Sequence, residues 1–481
     1  MGVNSISCEC CIIGAGPAGI AAALELTDHS VRDVVIVDKQ KTVGGLARTE
    51  EFAGARFDVG PHRFFTKNAE INRMWHATLK EDFIPVRRMT RIFYKDHFYS
   101  YPINGMEVLG NLGLVEAGRA LLSYAAASAA PKKDLLTFED WITKKFGRKL
   151  YEAFFKTYTE KVWGIPCSEI GADWAAQRIK GLDIVEVAKK ALNIGQKKVI
   201  KTLVDEFHYP IRGTGQMYDV MSETLAARGA RFMLGLGITS IEQNGGTITA
   251  VTGTNADGSL TRIEARHYFI SLPFTHFFRY LSPAPAPDVL RAADTLYYRD
   301  HITVDILVDR DDLFPDQWIY IHSPEVRMAR LANYCNFSRA MAPRGKSSLS
   351  VEYFSFQHEE LWKMSDSELS ELAAEELHSM GLIKRETVEA SMVVRETECY
   401  PTYYLGFREP YMILRNAVDK FTNAAAIGRG GMYKYSNQDH AAMSGLLAAR
   451  NYLRLPGSPY ILWNINIDAE YHEGAAANSI S

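Results

Sequence analysis

The sequence predicts an α/β fold, in which a parallel-sheet unit carries an inserted helical domain and a second domain built on a sheet. Three observations predict it. An apolar run, Cys10 to Ile13, stops at Gly14, Gly16 and Gly19, and an Ala-rich run, Ile20 to Leu26, follows at once: strand, tight turn, helix. From Met106 to about Ile200 apolar residues recur at three and four, so a helical segment interrupts the chain. Strand-type runs return at 268–273 and 424–427, so the first unit is visited at the start, middle and end of the 481 residues.

In the opening turn Gly14 permits the bend, Gly16 lets the backbone approach a pyrophosphate, and Gly19 lets the helix pack close to the strand. The phosphates would then meet the exposed N–H groups of the helix N-terminus. A second strand, Val34 to Val37, ends at Asp38, an acid about 20 residues beyond the glycines where a ribose hydroxyl is held. Val43-Gly44-Gly45-Leu46-Ala47-Arg48-Thr49 forms a second glycine loop, and Phe57 to His62 a short strand and turn. Residues 69–80 read as a helix, and Thr90 to Tyr101 as a hairpin with Lys95 and Asp96 at its turn. Thr137 is placed as an N-cap. Tyr209 to Gly215 returns the chain to the first unit, followed by a helix at 216–228, a strand at 230–235 and two strands around Gly245-Gly246. Strands at 296–308 and 345–356 and a helix at 366–381 beginning near Ser365 and Ser367 make the second sheet-based domain. Ala424 to Ile427 runs into Gly428-Arg429-Gly430-Gly431, and Gln438 to Tyr452 is the closing helix. The division expected is 1–100, 206–275 and 421–465 for the nucleotide-binding unit, 101–205 helical, 276–420 sheet-based, and 466–481 a polar tail.

The composition, 47% hydrophobic and 23% charged, is that of a globular protein with more than one core. A net charge of −3 lacks the basic face that duplex phosphates require, so no nucleic-acid partner is expected. Six scattered cysteines lack the paired spacing of a metal site or a disulfide scaffold, which predicts reduced thiols and no metal. Met1 to Glu9 has no basic n-region, which points to a cytoplasmic protein. Glu107, Glu116 and Arg119 divide the apolar stretch 107–130, so an amphipathic core helix is expected there, not an integral membrane segment.

The two glycine loops and Phe57-Asp58-Val59-Gly60-Pro61-His62 resemble the FAD-binding, glutathione-reductase-type Rossmann-like fold of amine oxidases, protoporphyrinogen oxidase, phytoene desaturase and UDP-galactopyranose mutase. The resemblance implies bound FAD, with Gly14, Gly16, Gly19, Asp38, Gly44, Gly45, Arg48, His62, Arg429 and Gln438 on the cofactor side. His62 would sit by the flavin and influence its redox state, or simply cap its turn. Tyr158-Thr-Glu-Lys-Val-Trp163-Gly164 reads locally as a helix end with Gly164 as its stop, and it also resembles the mutase block that contacts the substrate. Carried over, Tyr158 meets the substrate diphosphate and Trp163 lines the sugar pocket. Arg178, in Asp173-Trp-Ala-Ala-Gln-Arg178, and Arg330, in Val326-Arg-Met-Ala-Arg330-Leu, resemble the two diphosphate arginines. Tyr435 resembles a phosphate-binding tyrosine, and Asn437 stands where bacterial mutases carry Asp. Val162 replaces a family Gln, and the uridine-contacting positions are not retained.

Together these imply a flavoenzyme acting on a sugar nucleotide or phosphorylated sugar, by pyranose–furanose isomerisation that needs reduced flavin, with Arg178, Arg330, His62 and Trp163 catalytic. NAD(P)H is an admissible reductant and a homodimer an admissible assembly. The competing reading is a redox flavoenzyme, an oxidase, dehydrogenase or desaturase of a sugar or secondary metabolite.

Overall fold

The computed structural model describes residues 3–101, 105–130, 135–172 and 206–465. The strand Val3–Ile13 is central to the first sheet, parallel to Val34–Asp38 on one side and to Leu260–Ile270 on the other. Arg231–Leu234 and Ala424–Ala426 extend the parallel ladder outward on the two flanks. Cys10 and Ile12 pack under the helices Pro17–Asp28, Gly215–Ala227 and Gln438–Leu453, while Cys11 and Ile13 pack against the antiparallel hairpin 236–255 on the opposite face. Burial on both faces explains why this strand reads as an unbroken apolar run. The hairpin turns at Gly245 and Gly246, both at positive φ. All six cysteines are buried and unbridged.

The second sheet has seven strands in the order Val388–Pro401, Tyr298–Val308, Ser347–Ser355, Arg330–Asn333, Trp318–Ile321, Thr90–Tyr94, His97–Ser100. The hairpin Thr90–Ser100, grouped above with residues 1–100, therefore belongs by its hydrogen bonds to this sheet, through parallel pairing with Trp318–Ile321. One face carries Ile302, Val304, Ile306, Leu349, Val351 and Tyr353 and is covered by the helix Asp366–Ser379. Ser365 and Glu368 close that helix start with a capping box. The alternating residues Arg299, His301, Thr303 and Asp305, with Ser348, Ser350 and Glu352, occupy the opposite face and are buried as well. A polar sheet face that is not solvated marks where the two units meet.

Between them lies a helical segment: Gly105–Ala129, broken at Gly113, then Phe138–Phe146 with a Thr137–Asp140 capping box, then Arg148–Trp163 with a π-type widening over Glu152–Lys156. Its first helix buries Ala117 and Ala120 but leaves Val115, Leu121 and Leu122 exposed, so it is less of a core helix than its composition predicts. Among the described residues, no helix is long and apolar enough to cross a membrane. Residues 173–205, including Arg178, and the tail 466–481 lie outside the described residues.

Candidate active site

The cradle is made of backbone. Gly14, at φ +111, donates its N–H to Val37 O at 2.8 Å, which turns the chain off the first strand. A Cβ on Gly19 would lie 1.9 Å from Gly14 O, so this glycine is required for helix packing. A Cβ on Gly16 would meet nothing nearer than Gly44 O at 3.8 Å. The space in front of Gly16 is open, and Gly16 offers the helix start no capping side chain. Gly44 closes the second loop onto the first by donating to Ala15 O at 2.9 Å. Asp38 accepts from Ala15 N–H at 2.7 Å and Gln40 N–H at 2.8 Å; burial raises its pKa against those two bonds. The acid thus fastens the glycine turn to the second strand.

Two expected cofactor residues have protein partners. Arg48, buried, donates Nε to Glu50 at 2.6 Å, NH2 to Glu396 at 2.5 Å and NH1 to Gly45 O at 3.1 Å. It locks in place the loop that the resemblance puts on the cofactor side. Gln438, at the start of the closing helix, accepts from Tyr218 O–H at 2.5 Å, while its buried Nε2 has no partner. Gly445, further along that helix, admits a carbonyl: its Cβ would fall 1.9 Å from Ala18 O.

The side-chain cluster sits where the sheet meets this cradle. Arg330 donates NH2 to Glu352 at 2.5 Å and to the Tyr400 hydroxyl at 3.2 Å, leaving its buried Nε unpartnered. Arg429 lies 4.3 Å from the ring centres of both Tyr400 and Tyr435, and its buried Nε and NH2 have no partner. Trp163, packed 6.2 Å from Tyr400, Tyr403 and Tyr435, completes an aromatic cup. Tyr158 stacks on His322 at 4.9 Å and meets Tyr320 edge-on at 5.5 Å. Gly164, at φ +69, ends that helix as expected and has a second reason to be glycine: the Arg299 guanidinium lies 2.4 Å from where its Cβ would be. Lys161 of the same motif staples the helix to the sheet by donating to Ser323 O at 2.7 Å and Met328 O at 2.9 Å.

Charge in the cup follows from burial. Glu352 is fully buried, which would raise its pKa, yet Arg330 and His301 hold the carboxyl below its usual range. His301 Nε2 is 2.8 Å from the same Glu352 oxygen. His62 is driven down to about 4 by burial, with the cations Arg429 and Arg330 adding to the effect. Its ring is neutral, and Nδ1, 2.8 Å from Gly60 O, is assigned the proton, which makes Nε2 an acceptor. The Glu352 carboxylate is thus held by Arg330 and His301, while Arg429 lies against the Tyr400 and Tyr435 rings.

Of the residues named from sequence, the structure gathers Arg330, Arg429, Tyr158, Trp163, Tyr435 and His62. Asn437 is exposed at the N-cap of the closing helix and makes no side-chain cap there. Sequence reasoning missed Tyr400, Glu352 and His301. The available signal was the period-two set Arg299, His301, Thr303, Asp305, which normally reads as a solvated face.

A family model described as flavin-containing amine oxidoreductase matches residues 17–452. The chain belongs to that family. A probable UDP-galactopyranose mutase of Klebsiella pneumoniae is 29% identical over 170 residues, 34% of this chain and 42% of that protein, so the match spans less than half of the relative. Crystallised reduced UDP-galactopyranose mutase superposes with a TM-score of 0.83 at 21% identity, covering 97% of each chain. A putative protoporphyrinogen oxidase from Exiguobacterium superposes at 0.67, with 14% identity and 93% and 99% coverage. Putrescine oxidase bound to putrescine superposes at 0.60, with 16% identity and 94% and 100% coverage. These superpositions establish the fold, and the family match makes the protein a flavoenzyme. The cradle fits FAD: the open space at Gly16, the uncapped helix start and the unpartnered nitrogen of Gln438 suit a dinucleotide diphosphate and a polar ring.

Proposed function

We propose that the enzyme binds a sugar carrying an anomeric phosphate or diphosphate and interconverts its pyranose and furanose forms. One observation carries this reading: Arg330 pairs with Glu352, Arg429 pairs with no carboxylate among the described residues, and the two guanidiniums retain three buried nitrogens without partners. A buried, uncompensated cation is unfavourable, and an anion with several acceptor oxygens offsets it. The same excess positive charge disfavours an amine substrate, which separates this cup from that of a diamine oxidase.

In this reading Arg330, with Arg178, neutralises the departing diphosphate, and the Tyr400 and Tyr435 hydroxyls add donors to its oxygens. Trp163 and Tyr158 supply apolar faces for the sugar ring and the remainder of the substrate. Neutral His62 leaves Nε2 as an acceptor, and Asp38 would hold a ribose hydroxyl of the cofactor with its remaining lone pairs. Reduced flavin, when bound, supplies the electron-rich centre that engages the anomeric carbon. Cytoplasmic carbohydrate biosynthesis is the setting this chemistry suits.

The test is turnover. Dithionite-reduced enzyme, kept anaerobic with a panel of sugar nucleotides and sugar phosphates, should convert at least one into its ring isomer, seen by chromatography, without net loss of reductant. Oxidised enzyme should convert none. Bleaching of oxidised enzyme in step with formation of a keto or unsaturated product, without any ring isomer, would replace this reading with the redox one.

A further inference from the structure

The strand Val388–Pro401 follows Tyr298–Val308 in antiparallel register as far as the pair Glu396–His301, and the register resumes at Tyr400–Arg299. Thr397, Glu398 and Cys399 therefore lie opposite Asp300 alone, a bulge with two extra residues. Continued without it, the ladder would put Glu398 opposite Arg299 and carry Tyr400 two residues onward, about 7 Å along the strand. Tyr400 would then miss both arginines.

The bulge is strained and clamped. Glu398 has φ +61, a left-handed conformation that is unfavourable for a non-glycine residue. Asp300, buried on the neighbouring strand, accepts the Glu398 N–H at 2.6 Å. The Glu398 carboxylate is also held, 2.6 Å from His276 Nε2 on the helix Phe274–Arg279, which follows the strand Leu260–Ile270 of the nucleotide-binding unit.

We infer that Asp300 is a positioning residue, which sets the Glu398 bulge and thereby holds the Tyr400 ring between Arg330 and Arg429. The inference rests on the reading of that cup as the anion site. It gives Asp300 a task distinct from the rest of the buried polar face: its acceptor oxygen fixes one peptide, and that peptide fixes where a substrate-facing phenol stands. Glycine adopts positive φ without penalty, so a glycine at 398 keeps the bulge with no clamp.

The experiment uses flavin-loaded protein and inorganic pyrophosphate as the probe, titrated calorimetrically. Asp300→Ala should weaken pyrophosphate at least fivefold, to the level of Tyr400→Phe, while Asp300→Asn, which keeps the acceptor, should stay within twofold of wild type. The double variant Asp300→Ala/Glu398→Gly should recover wild-type binding within twofold. Glu398→Val, which adds strain and leaves Asp300 in place, should lose as much as Asp300→Ala. A crystal structure of Asp300→Ala, or of Glu398→Val if the first does not fold, should show the 4.3 Å stacking of Arg429 on Tyr400 opened. An unmoved Tyr400 ring, or a double variant as impaired as Asp300→Ala, overturns the inference. Wild-type protein that binds no pyrophosphate overturns the anion reading of the cup instead, and the crystal structure alone then decides whether Asp300 positions Tyr400.

Discussion

The cradle and the cup are built by opposite means, although they adjoin. The cradle is backbone: Gly14, Gly16, Gly19, Gly44 and Gly45 act through absent side chains, and each lies within six residues of another of the set. The cup is side chain, assembled from Trp163, Arg330, Glu352, Tyr400, Arg429 and Tyr435 on five separate segments. A backbone site announces itself in a short motif, because the spacing is the geometry. A side-chain site built across strands does not.

That contrast can be broken most severely in the cradle. Gly19→Val should abolish soluble protein, since its Cβ would sit 1.9 Å from a carbonyl. Gly16→Val should fold, because the protein leaves that space open, yet bind no FAD; absorbance of the purified variant and release of flavin on heating measure it. A yellow Gly16→Val protein would mean that the pyrophosphate does not lie there.

The legibility of the molecule follows from the same contrast. The glycine turn, Asp38, the hairpin at Lys95-Asp96, the Thr137 and Ser365 caps and the helix stop at Gly164 are all local, and each stands in the structure where sequence puts it. Glu352 escaped because a lone acid in an apolar run resembles a solvated strand position; its burial depends on Arg330 and His301, joined to it only by strand pairing. Tyr400 escaped because a bulge of two residues shifts it, which no period-two count anticipates. Arg48 was visible, but its pairing with Glu396, 348 positions away, was not.

In the cup, Arg330 and Arg429 should differ. Arg330→Ala leaves the Glu352 carboxylate buried without its cation and should cost about 3–5 kcal/mol of stability. Arg330→Ala/Glu352→Gln should regain most of it in denaturant melts. Arg429 has no carboxylate partner among the described residues, so Arg429→Ala should leave stability nearly unchanged. Equal losses for the two arginines would erase the distinction between a paired and an unpaired cation.

A smaller effect tests the buried face between the two regions. Burial pushes the Asp305 carboxyl up to about 8, with Ser350 donating to it at 2.6 Å. A folded pKa above the unfolded value of about 3.9 means stability is fully present below that value and is lost as pH rises toward 8. Asp305→Asn cannot ionise. Its advantage over wild type should be near zero at pH 4 and grow with pH, by up to about 1.4 kcal/mol per unit through neutrality. A pH-independent difference in Tm would show that the carboxyl is ionised in the folded protein.

The central claim is that the cup takes an anion, and calorimetric titration of flavin-loaded protein with UDP tests it most directly, with putrescine as the cationic control. Wild type should bind UDP and not the diamine, and Arg429→Ala, with its flavin intact, should lose about 1.5–3 kcal/mol, more than tenfold in affinity. Tight binding of putrescine with no response to UDP would contradict it.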